Sequence, residues 1–343
     1  MDKKNLGQFY TTNYNYILQN LFIPENTVSI IEPFCGSGEL LNFIDKNKYN
    51  IETFDIDPKI KVSEKRDTLF NPPNYKDKFI LTNPPYLARN KCKEKKIFDF
   101  YNVNDLYKCF IKELLTNQCQ GGIIIIPLNF WSSIRKNDIE LRILFLQQYN
   151  VLQLNIFEEN VFDDTSYTVC SFQFEKRIEK TNNFLLPITV YPCRKKIQTE
   201  LNQQNNYIIG GYIYNISVKN NYKIYRLTSK NKNEKHSNIM IKCIDDNGQN
   251  RIQFQLVETE SIYIDETPNQ TARTYATIII EPFISIDIQK KIVEKANQIL
   301  NEHREKYHSL FLTNYRESKD IARKRISFDL AYRIIEHVLD EIN

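Results

Sequence analysis

Residues 28–44 read VSIIEPFCGSGELLNFI, and this stretch decides the fold class. Its first four residues, Val28–Ile31, three of which are aliphatic, are typical of a short buried strand. A turn with Gly36 and Gly38 follows the run. The apolar residues after the turn have helical spacing: Leu40, Leu41 and Ile44. A strand, a glycine turn and a helix in this order indicate an α/β domain.

The rest of the first half repeats this alternation. A helical pattern covers Leu106 to Leu115. Further strand-like runs lie at 51–54, 79–81, 123–126, 151–157 and 168–174. Strands that alternate with helices predict a mostly parallel sheet covered on both faces.

The amino-acid composition and the predicted secondary structure change after Lys176. Asn, Gln, Lys and Tyr become frequent, short β-like runs occur at 207–209 and 212–214, and two amphipathic helices close the chain. Residues 1–176 hold 21 of the 46 Lys and Arg and 22 of the 42 Asp and Glu, so the net charge is −1 there and +5 in the remainder. We therefore predict two domains, one at 1–176 and a smaller mixed α+β one at 177–343. The positive charge of the second is compatible with a polyanion partner and equally with a solvated lysine-rich surface.

Composition excludes several classes of protein. With 41% hydrophobic residues in 343, the chain can fill a packed core. Its longest aliphatic run, Ile123–Ile126, is far shorter than the roughly 20 residues of a membrane-spanning helix, and the first residues do not resemble a secretory signal. Seven scattered cysteines form no C-x-x-C pair. We expect a cytoplasmic protein without a membrane partner, disulfide or metal site.

The glycine turn is typical of a cofactor site. Gly36 and Gly38 allow a ligand to approach the backbone closely, but Leu41 stands where a dinucleotide fingerprint has its third glycine. Asp55 ends the next strand, where a carboxylate can accept both hydroxyls of a ribose. This combination favours a nucleoside cofactor without a pyrophosphate. A plain structural turn with a solvated aspartate is the alternative.

The segment Asn83-Pro84-Pro85-Tyr86 is the most specific signal in the chain. The prolines cannot continue a sheet ladder, so the segment presents its carbonyls and the Asn83 side chain at the carboxyl edge of the sheet. Two acceptors and the flat Tyr86 ring suit a planar substrate that carries an amino group. A second copy of the triplet, Asn71-Pro72-Pro73, shows that the same residues also occur in ordinary loops.

The order of these motifs resembles that of the S-adenosylmethionine-dependent N6-adenine DNA methyltransferases of the γ arrangement, over residues 6 to about 176. The segments that carry the resemblance are Gly7–Thr12, Glu32–Gly38, Asp55–Pro58, Arg66–Phe70, Thr82–Tyr86, Asp105–Tyr107 and Gly121–Gly122. It implies a Rossmann-like methyltransferase domain and a target-recognition domain. The catalytic residues that it implies are Asn83, Pro84 and Tyr86. The implied S-adenosylmethionine contacts are Tyr10, Thr11, Glu32, Phe34, Gly36, Gly38, Asp55, Ile56, Asp67 and Asn83.

The resemblance also implies a substrate and partners. The substrate is an adenine flipped out of double-stranded DNA at a short palindromic site, for which CATG is the guess, and the partner is a restriction endonuclease that acts on the same site. Phe162 or Tyr167 would clamp the second face of the base. Basic clusters offer candidate phosphate contacts: Arg89, Lys91, Arg316, Arg323, Lys324 and Arg325.

Two other functions remain open at this stage. The same Asn-Pro-Pro-Tyr chemistry serves methyltransferases of protein glutamine and of RNA amino groups. A non-enzymatic nucleic-acid binding module would have to explain why Asp55, Asn83 and Tyr86 all occur together.

The role assigned to Tyr86 makes a prediction of its own. Stacking on a base needs only the aromatic ring, so the sequence predicts that Tyr86→Phe is tolerated.

Overall fold

The computed structural model describes residues 7–162, 167–245, 251–266, 274–314 and 324–342. The chain divides into two compact units, of which the first runs to Asn202 and the second begins at Gln203. The boundary expected at residue 176 therefore lies too early. Two strands after it, within residues 184–201, pair with the sheet of the first unit, and local sequence texture does not reveal that pairing.

The first unit is built on a nine-stranded sheet. Its strands are β1 (Ser29–Glu32), β2 (Asn50–Asp55), β3 (Glu64–Lys65), β4 (Phe79–Thr82), β5 (Gly121–Pro127), β6 (Tyr149–Phe157), β7 (Val169–Lys176), β8 (Phe184–Tyr191) and β9 (Lys195–Leu201). Their order is β3-β2-β1-β4-β5-β7-β6-β8-β9. The first five strands of this order run parallel, while β7 is antiparallel to both of its neighbours.

The described residues of the first unit form five α-helices. They are α1 (Tyr14–Ile17), α2 (Lys96–Tyr101), α3 (Leu106–Thr116), α4 (Asn129–Ser132) and α5 (Lys136–Gln148). The helix expected after Gly38 is instead a five-residue 3₁₀ helix, Glu39–Phe43. Its apolar residues are still buried, because Leu40 and Leu41 face the core as their spacing indicated.

The central strands lie in the core. Ile30 and Ile31 of β1, Leu81 of β4 and Ile123–Ile126 of β5 are completely buried. Strands that are covered on both faces are continuously apolar, and this explains their sequences. The predicted fold class, an α/β Rossmann-like domain with a mostly parallel sheet, is confirmed.

The second unit has mixed α and β structure in its described residues. A four-stranded antiparallel sheet has the order β10-β14-β11-β13, and a three-stranded sheet has the order β12-β16-β15. The strands are β10 (Lys223–Arg226), β11 (Ile239–Lys242), β12 (Ile244–Asp245), β13 (Gln253–Leu256), β14 (Tyr275–Glu281), β15 (Thr313–Asn314) and β16 (Lys324–Arg325). The helices α6 (Ile286–Tyr307) and α7 (Phe328–Ile342) pack against each other, and α6 also covers β13.

The β-like runs expected at 207–209 and 212–214 are wrong. Residues 207–209 lie in turns, and a 3₁₀ helix spans Gly211–Asn215. The chain reverses at Gly210, which has a φ of +68°, and a Cβ on Gly211 would meet the Asn205 carbonyl oxygen at 2.0 Å. Two glycines in sequence thus override the β propensity of the aromatic and aliphatic residues around them.

The order of the large sheet determines where a ligand can bind. From β1 the chain proceeds outward to β2 and β3, and then returns to place β4 on the other side of β1. Open α/β sheets bind ligands outside the carboxyl ends of the strands at such a reversal. Glu32, Asp55 and Thr82 are the last residues of the three strands at this place. Among the described residues, no helix is long and apolar enough to cross a membrane.

Candidate active site

A cavity of about 340 Å³ opens at the carboxyl ends of β1, β2 and β4. Three stretches of chain supply most of its wall: the N-terminal segment, the turn after β1 and the segment after β4. Its lining includes Gln8, Phe9, Tyr10, Thr11, Glu32, Phe34, Cys35, Gly36, Asp55, Ile56, Asp67, Phe70, Asn83, Pro85, Leu87, Cys92 and Glu94. Its volume lies at the lower end of the range for small-molecule sites, about 300–1,000 Å³.

The turn after β1 is tight because it contains two glycines with positive φ. Gly36 has φ +54°, and a Cβ there would lie 3.0 Å from the Tyr10 ring, while Gly38 has φ +81° and would meet Ile60 at the same distance. Side chains at these two positions would be strained and crowded. The turn therefore brings bare backbone to the cavity and lets the Tyr10 ring lie over Gly36.

Asp55 ties the turn to the end of β2. Its Oδ2 accepts a hydrogen bond from the Gly36 N–H at 2.8 Å, and its Oδ1 accepts one from the Asp57 N–H at 2.7 Å. The Gln8 amide approaches Oδ1 at 3.4 Å. An ionised carboxylate has about four acceptor positions. Asp55 can therefore hold the turn and still accept hydrogen bonds from a ligand in the cavity.

Glu32 is the most perturbed acid of the cavity wall. Its side chain is 1% exposed, and Oε2 has no hydrogen-bond partner among the described residues. Burial raises the pKa of Glu32 to about 8, and the hydrogen bond with Cys35 opposes this only in part. A cationic ligand beside this buried carboxyl would favour its ionised form.

Asn83 stands directly after β4 and forms the opposite wall of the cavity. Its Nδ2 donates to the Phe9 carbonyl oxygen at 2.8 Å and to Thr11 Oγ1 at 3.1 Å. Its Oδ1 accepts a hydrogen bond from the Tyr86 hydroxyl. Both amide hydrogens are thus used inside the protein, and the orientation of the side chain is fixed. Oδ1 keeps a second lone pair for a substrate donor.

Tyr86 is more deeply embedded than a stacking surface needs to be. Its side chain is 2% exposed, and its hydroxyl lies within hydrogen-bonding distance of Asn83 Oδ1 and of the Ile125 carbonyl oxygen, the latter at 2.8 Å. Burial raises the pKa of Tyr86 well above its ordinary value, so the hydroxyl remains a donor. The hydroxyl therefore orients the Asn83 amide, a role that the sequence analysis did not anticipate.

The N-terminal segment packs on the Asn83–Tyr86 segment. The Tyr86 N–H donates to the Gly7 carbonyl oxygen at 2.9 Å, and a Cβ on Gly7 would lie 2.7 Å from the Tyr86 carbonyl oxygen. The Phe9 ring stacks on the Tyr86 ring with centroids 5.1 Å apart. Residues near the start of the chain thus contact both the Asp55 side and the Asn83 side of the cavity.

Asp105 connects the Asn83–Tyr86 segment to α3. It precedes the helix, and its Oδ1 accepts a hydrogen bond from the Leu87 N–H at 3.1 Å. Burial raises the pKa of Asp105 to about 7, against the opposing effect of Lys108. Lys108 itself forms a buried ion pair with Asp138 at 2.6 Å. These contacts fix the backbone just beyond Tyr86.

Nine of the ten predicted cofactor contacts line this one cavity, and Gly38, which shapes the turn, is the exception. Pro84 lies between two lining residues, Asn83 and Pro85, but is not part of the wall. Phe9, Phe70, Cys92 and Glu94 also line the cavity, although the sequence motifs assign them no role. Phe9 and Phe70 lie within two segments of the family resemblance, Gly7–Thr12 and Arg66–Phe70, so they could have been predicted from those segments. Cys92 and Glu94 lie in a basic stretch without a motif, so the sequence gives no signal for them.

The predicted DNA contacts fall into different environments. Arg89 and Lys91 lie in a 3₁₀ helix shortly before Cys92 and Glu94 of the cavity wall, and Arg89 pairs with Asp99 at 2.7 Å. Phe162 is 6% exposed and touches Phe9, whereas the half-buried Tyr167 meets Tyr86 edge-on.

The phosphate contact expected of Lys324 is wrong. Lys324 is 2% exposed, and its Nζ donates to the His308 carbonyl oxygen at 3.4 Å, because β16 carries it into the second unit rather than onto its surface. Arg325, also in β16, is half-buried. Arg316 and Arg323 lie outside the described residues. Within those residues, no group of three or more His, Cys, Asp or Glu side chains could hold a metal ion.

No family model and no curated protein matches the chain. Among solved structures, it is similar to a modification subunit of a putative type I restriction enzyme from Vibrio vulnificus, with 16% identity and a TM-score of 0.40 over 56% of this chain and 49% of that one. A putative class I S-adenosylmethionine-dependent methyltransferase from Listeria monocytogenes has 14% identity and a TM-score of 0.37, over 51% and 61% of the two chains.

A third likeness is to DrdV in a complex with DNA, with 14% identity and a TM-score of 0.44, over 71% of this chain and 36% of that one. In each of the three, the matched region spans less than two thirds of the other chain. The scores and identities indicate a distant likeness only.

Proposed function

We propose that this chain transfers a methyl group from S-adenosylmethionine to the exocyclic N6 of adenine in DNA, at a specific short site. The observation that carries the proposal is the position of Asn83. Its amide is fixed by three hydrogen bonds at the wall of a cavity whose other walls carry Asp55 and Glu32. An acceptor for an amino group and the acids of a nucleoside site therefore face one space.

The residues around the cavity fit the cofactor part by part. Asp55 retains acceptor positions for the two ribose hydroxyls, and Glu32 offers a buried carboxyl to the ammonium group. Asp67 and the apolar side chains of Ile56 and Phe70 line the remaining wall and suit the adenine ring. When bound, S-adenosylmethionine supplies an electrophilic methyl group on a sulfonium.

The second requirement is an acceptor for the substrate amine. The lone pair of adenine N6 is delocalised into the ring, so the amine is a weak nucleophile. Asn83 Oδ1 and the Pro84 carbonyl oxygen would accept its two hydrogens and hold the nitrogen in line with the methyl group. Transfer to this nitrogen would break the S–C bond of the sulfonium, form the new N–C bond, leave a neutral thioether as the leaving group and release one amine proton to solvent.

Histidine is not expected to act as a general base. All four histidines lie beyond residue 235, in the second unit, while the Asn83 segment belongs to the first. Catalysis in this proposal comes from orientation and from preorganised hydrogen bonds, without a metal.

Duplex DNA is the proposed form of the substrate. A stacked adenine cannot reach a cavity, so it must be flipped out at a cost of a few kcal/mol, which stacking and hydrogen bonds in the site offset. The exposed Lys91 lies next to the cavity wall at Cys92, in a position suited to a phosphate of the same strand. In this proposal the second unit reads the sequence, and a restriction endonuclease acts on the same site.

The experiment that tests the proposal compares three substrates. Purified protein is incubated with methyl-labelled S-adenosylmethionine and, separately, with DNA from cells that lack adenine methylation, with total RNA or with cell protein. We expect label in DNA only, and N6-methyladenine as the modified nucleoside in a digest analysed by mass spectrometry. Label in RNA, in protein or on a base other than adenine would show that adenine in DNA is not the substrate and would identify the substrate as the labelled molecule. Methylation-aware sequencing of the labelled DNA then reports the site.

A further inference from the structure

The ring of Phe9 touches two aromatic rings from distant parts of the chain. Its centroid lies 5.1 Å from that of Tyr86, with the ring planes at 26°, and 6.2 Å from that of Phe162, with the planes at 37°. Stacked and tilted contacts at these distances suit any flat ring. Phe9 thus occupies a place fitted to a planar group, beside the amide of Asn83.

The backbone of Phe9 is held more firmly than its side chain. The Asn83 amide donates to the Phe9 carbonyl oxygen at 2.8 Å, and the Tyr86 N–H donates to the neighbouring Gly7 carbonyl oxygen at 2.9 Å. The Phe9 side chain itself is only half-buried. Rotation about its Cα–Cβ bond would therefore move the ring away from Tyr86 without breaking either hydrogen bond.

We propose that Phe9 is an internal substitute for the target base, and that the planar group of the substrate displaces its ring from Tyr86 and Phe162. The inference rests on the proposed function, because it takes adenine as that planar group. In the chain without substrate, the Phe9 ring covers the apolar face of Tyr86. During turnover the base takes over both aromatic contacts and adds a hydrogen bond to Asn83.

This arrangement decides between the two aromatic residues that the sequence left open as a clamp. Phe162 contacts the Phe9 ring at a centroid distance of 6.2 Å, so a ring that replaces Phe9 would contact it as well. Tyr167 instead meets Tyr86 edge-on, at 6.2 Å and 84°. Phe162 is therefore the second clamp, and Tyr167 supports the first one from the side.

Displacement also selects among substrates. A group that enters must replace the ring contacts of Phe9 as well as reach Asn83. A nucleobase does both, since every base has an aromatic face. The side-chain amide of glutamine is planar but has no ring, so it cannot compensate for the contacts that Phe9 loses. Phe9 thus favours a base over a protein amide in the same site.

The test truncates each of the two rings that meet, Phe9 and Phe162, in a separate variant. Phe9→Ala removes the competitor, so the apparent KM for unmethylated DNA should fall by about 2- to 13-fold, the equivalent of one aromatic pair at about 0.5–1.5 kcal/mol. Phe162→Ala removes the clamp, so KM should rise by about 5- to 150-fold, the equivalent of base stacking at about 1–3 kcal/mol. Phe9→Leu, which keeps apolar volume without a ring, should also lower KM.

The opposite signs exclude a merely structural role. If Phe9 only supported the fold or formed a fixed wall of the base site, Phe9→Ala and Phe162→Ala would both raise KM, and that result would overturn the inference. An unchanged KM in both Phe9 variants would overturn it as well. Absence of methyl transfer to DNA by the wild-type chain would instead overturn the proposed function, and this inference with it.

Discussion

The chain contains the triplet Asn-Pro-Pro twice, twelve residues apart, and the two copies lie in different surroundings. Asn71 is exposed, and its N–H donates to the Asp67 carbonyl oxygen within a turn. Asn83 is 9% exposed, and three hydrogen bonds fix its amide. Identical residues thus form a surface loop in one place and the wall of a cavity in the other.

The difference comes from what precedes each copy. Asn83 follows β4, which lies beside β1 at the reversal of strand order, so its side chain is delivered to the carboxyl edge of the sheet. Asn71 follows Asp67-Thr68-Leu69-Phe70, which contains no strand. The Pro73 carbonyl oxygen accepts a hydrogen bond from the Asn117 amide at 2.8 Å and so serves local packing. A motif acquires chemistry from the element that presents it.

The largest effect should come from exchanging asparagine for alanine in each copy. Asn83→Ala removes an oriented acceptor at the reacting amine, so we expect kcat to fall by about 10²–10³-fold. Asn71→Ala is the matched control and should leave kcat unchanged. Methyl incorporation into DNA measures both. Equal activity of the two variants would end the distinction between the copies.

The second prediction separates the two walls of the cavity. Asp55→Ala loses charge-assisted hydrogen bonds to a ribose, worth about 1.5–3 kcal/mol each, so the affinity for S-adenosylmethionine should fall by about 10- to 150-fold. Asn83→Ala should lower this affinity much less, because the implied cofactor contact of Asn83 is uncharged and its main proposed role is at the amine. Calorimetric titration of both variants provides the comparison. A similar loss in both would mean that Asn83 contributes to the cofactor rather than to the amine.

The cavity could be anticipated from sequence because its residues follow strands. Glu32, Asp55 and Asn83 each stand at or directly after a strand end, and parallel strands carry such residues to one edge. The mistakes concern packing between distant segments. The burial of Lys324 depends on the pairing of β16 with β12, and the contact between Phe9 and Tyr86 joins residues far apart in sequence. Neither has a local signal.

The third prediction concerns the ionisation of Glu32, which lines the same cavity as Asn83 of the second copy. Burial raises the pKa of Glu32 from 4.5 to about 8. Between these values the folded chain keeps a proton that the unfolded chain has lost, so the free energy of unfolding falls as the pH rises, by up to about 1.4 kcal/mol per pH unit. The contribution of Glu32 is complete below pH 4.5 and lost by about pH 8.

Glu32→Gln is neutral at every pH and should lack this dependence. Chemical denaturation at several pH values between 5 and 8 should show the variant gaining stability relative to the wild type as the pH rises. Parallel curves for the two proteins would show that Glu32 ionises as an ordinary surface carboxyl does.

The fourth prediction tests the residue that distinguishes the copies, Tyr86 in one and Asn74 in the other. Tyr86→Phe removes the hydroxyl that orients Asn83, so the free energy of unfolding should fall by about 0.5–1.5 kcal/mol, together with kcat. The prediction from stacking alone, that Tyr86→Phe is tolerated, is therefore revised. Tyr107→Phe is the control within the same cluster, because the buried Tyr107 hydroxyl has no hydrogen-bond partner among the described residues.

The smallest effect should separate the basic residues that follow each copy. Lys91 lies next to the cavity wall, whereas Lys76 follows the exposed copy, and both side chains are exposed. If Lys91 neutralises one phosphate of bound DNA, Lys91→Ala should reduce the slope of log affinity against log salt by about 0.9. The loss should be the same on every DNA sequence, because a phosphate contact reads no base. Lys76→Ala should keep the wild-type slope. If Lys76→Ala reduced the salt slope and Lys91→Ala did not, bound DNA would lie beside the first copy. DNA binding would then give no support to the catalytic role of Asn83.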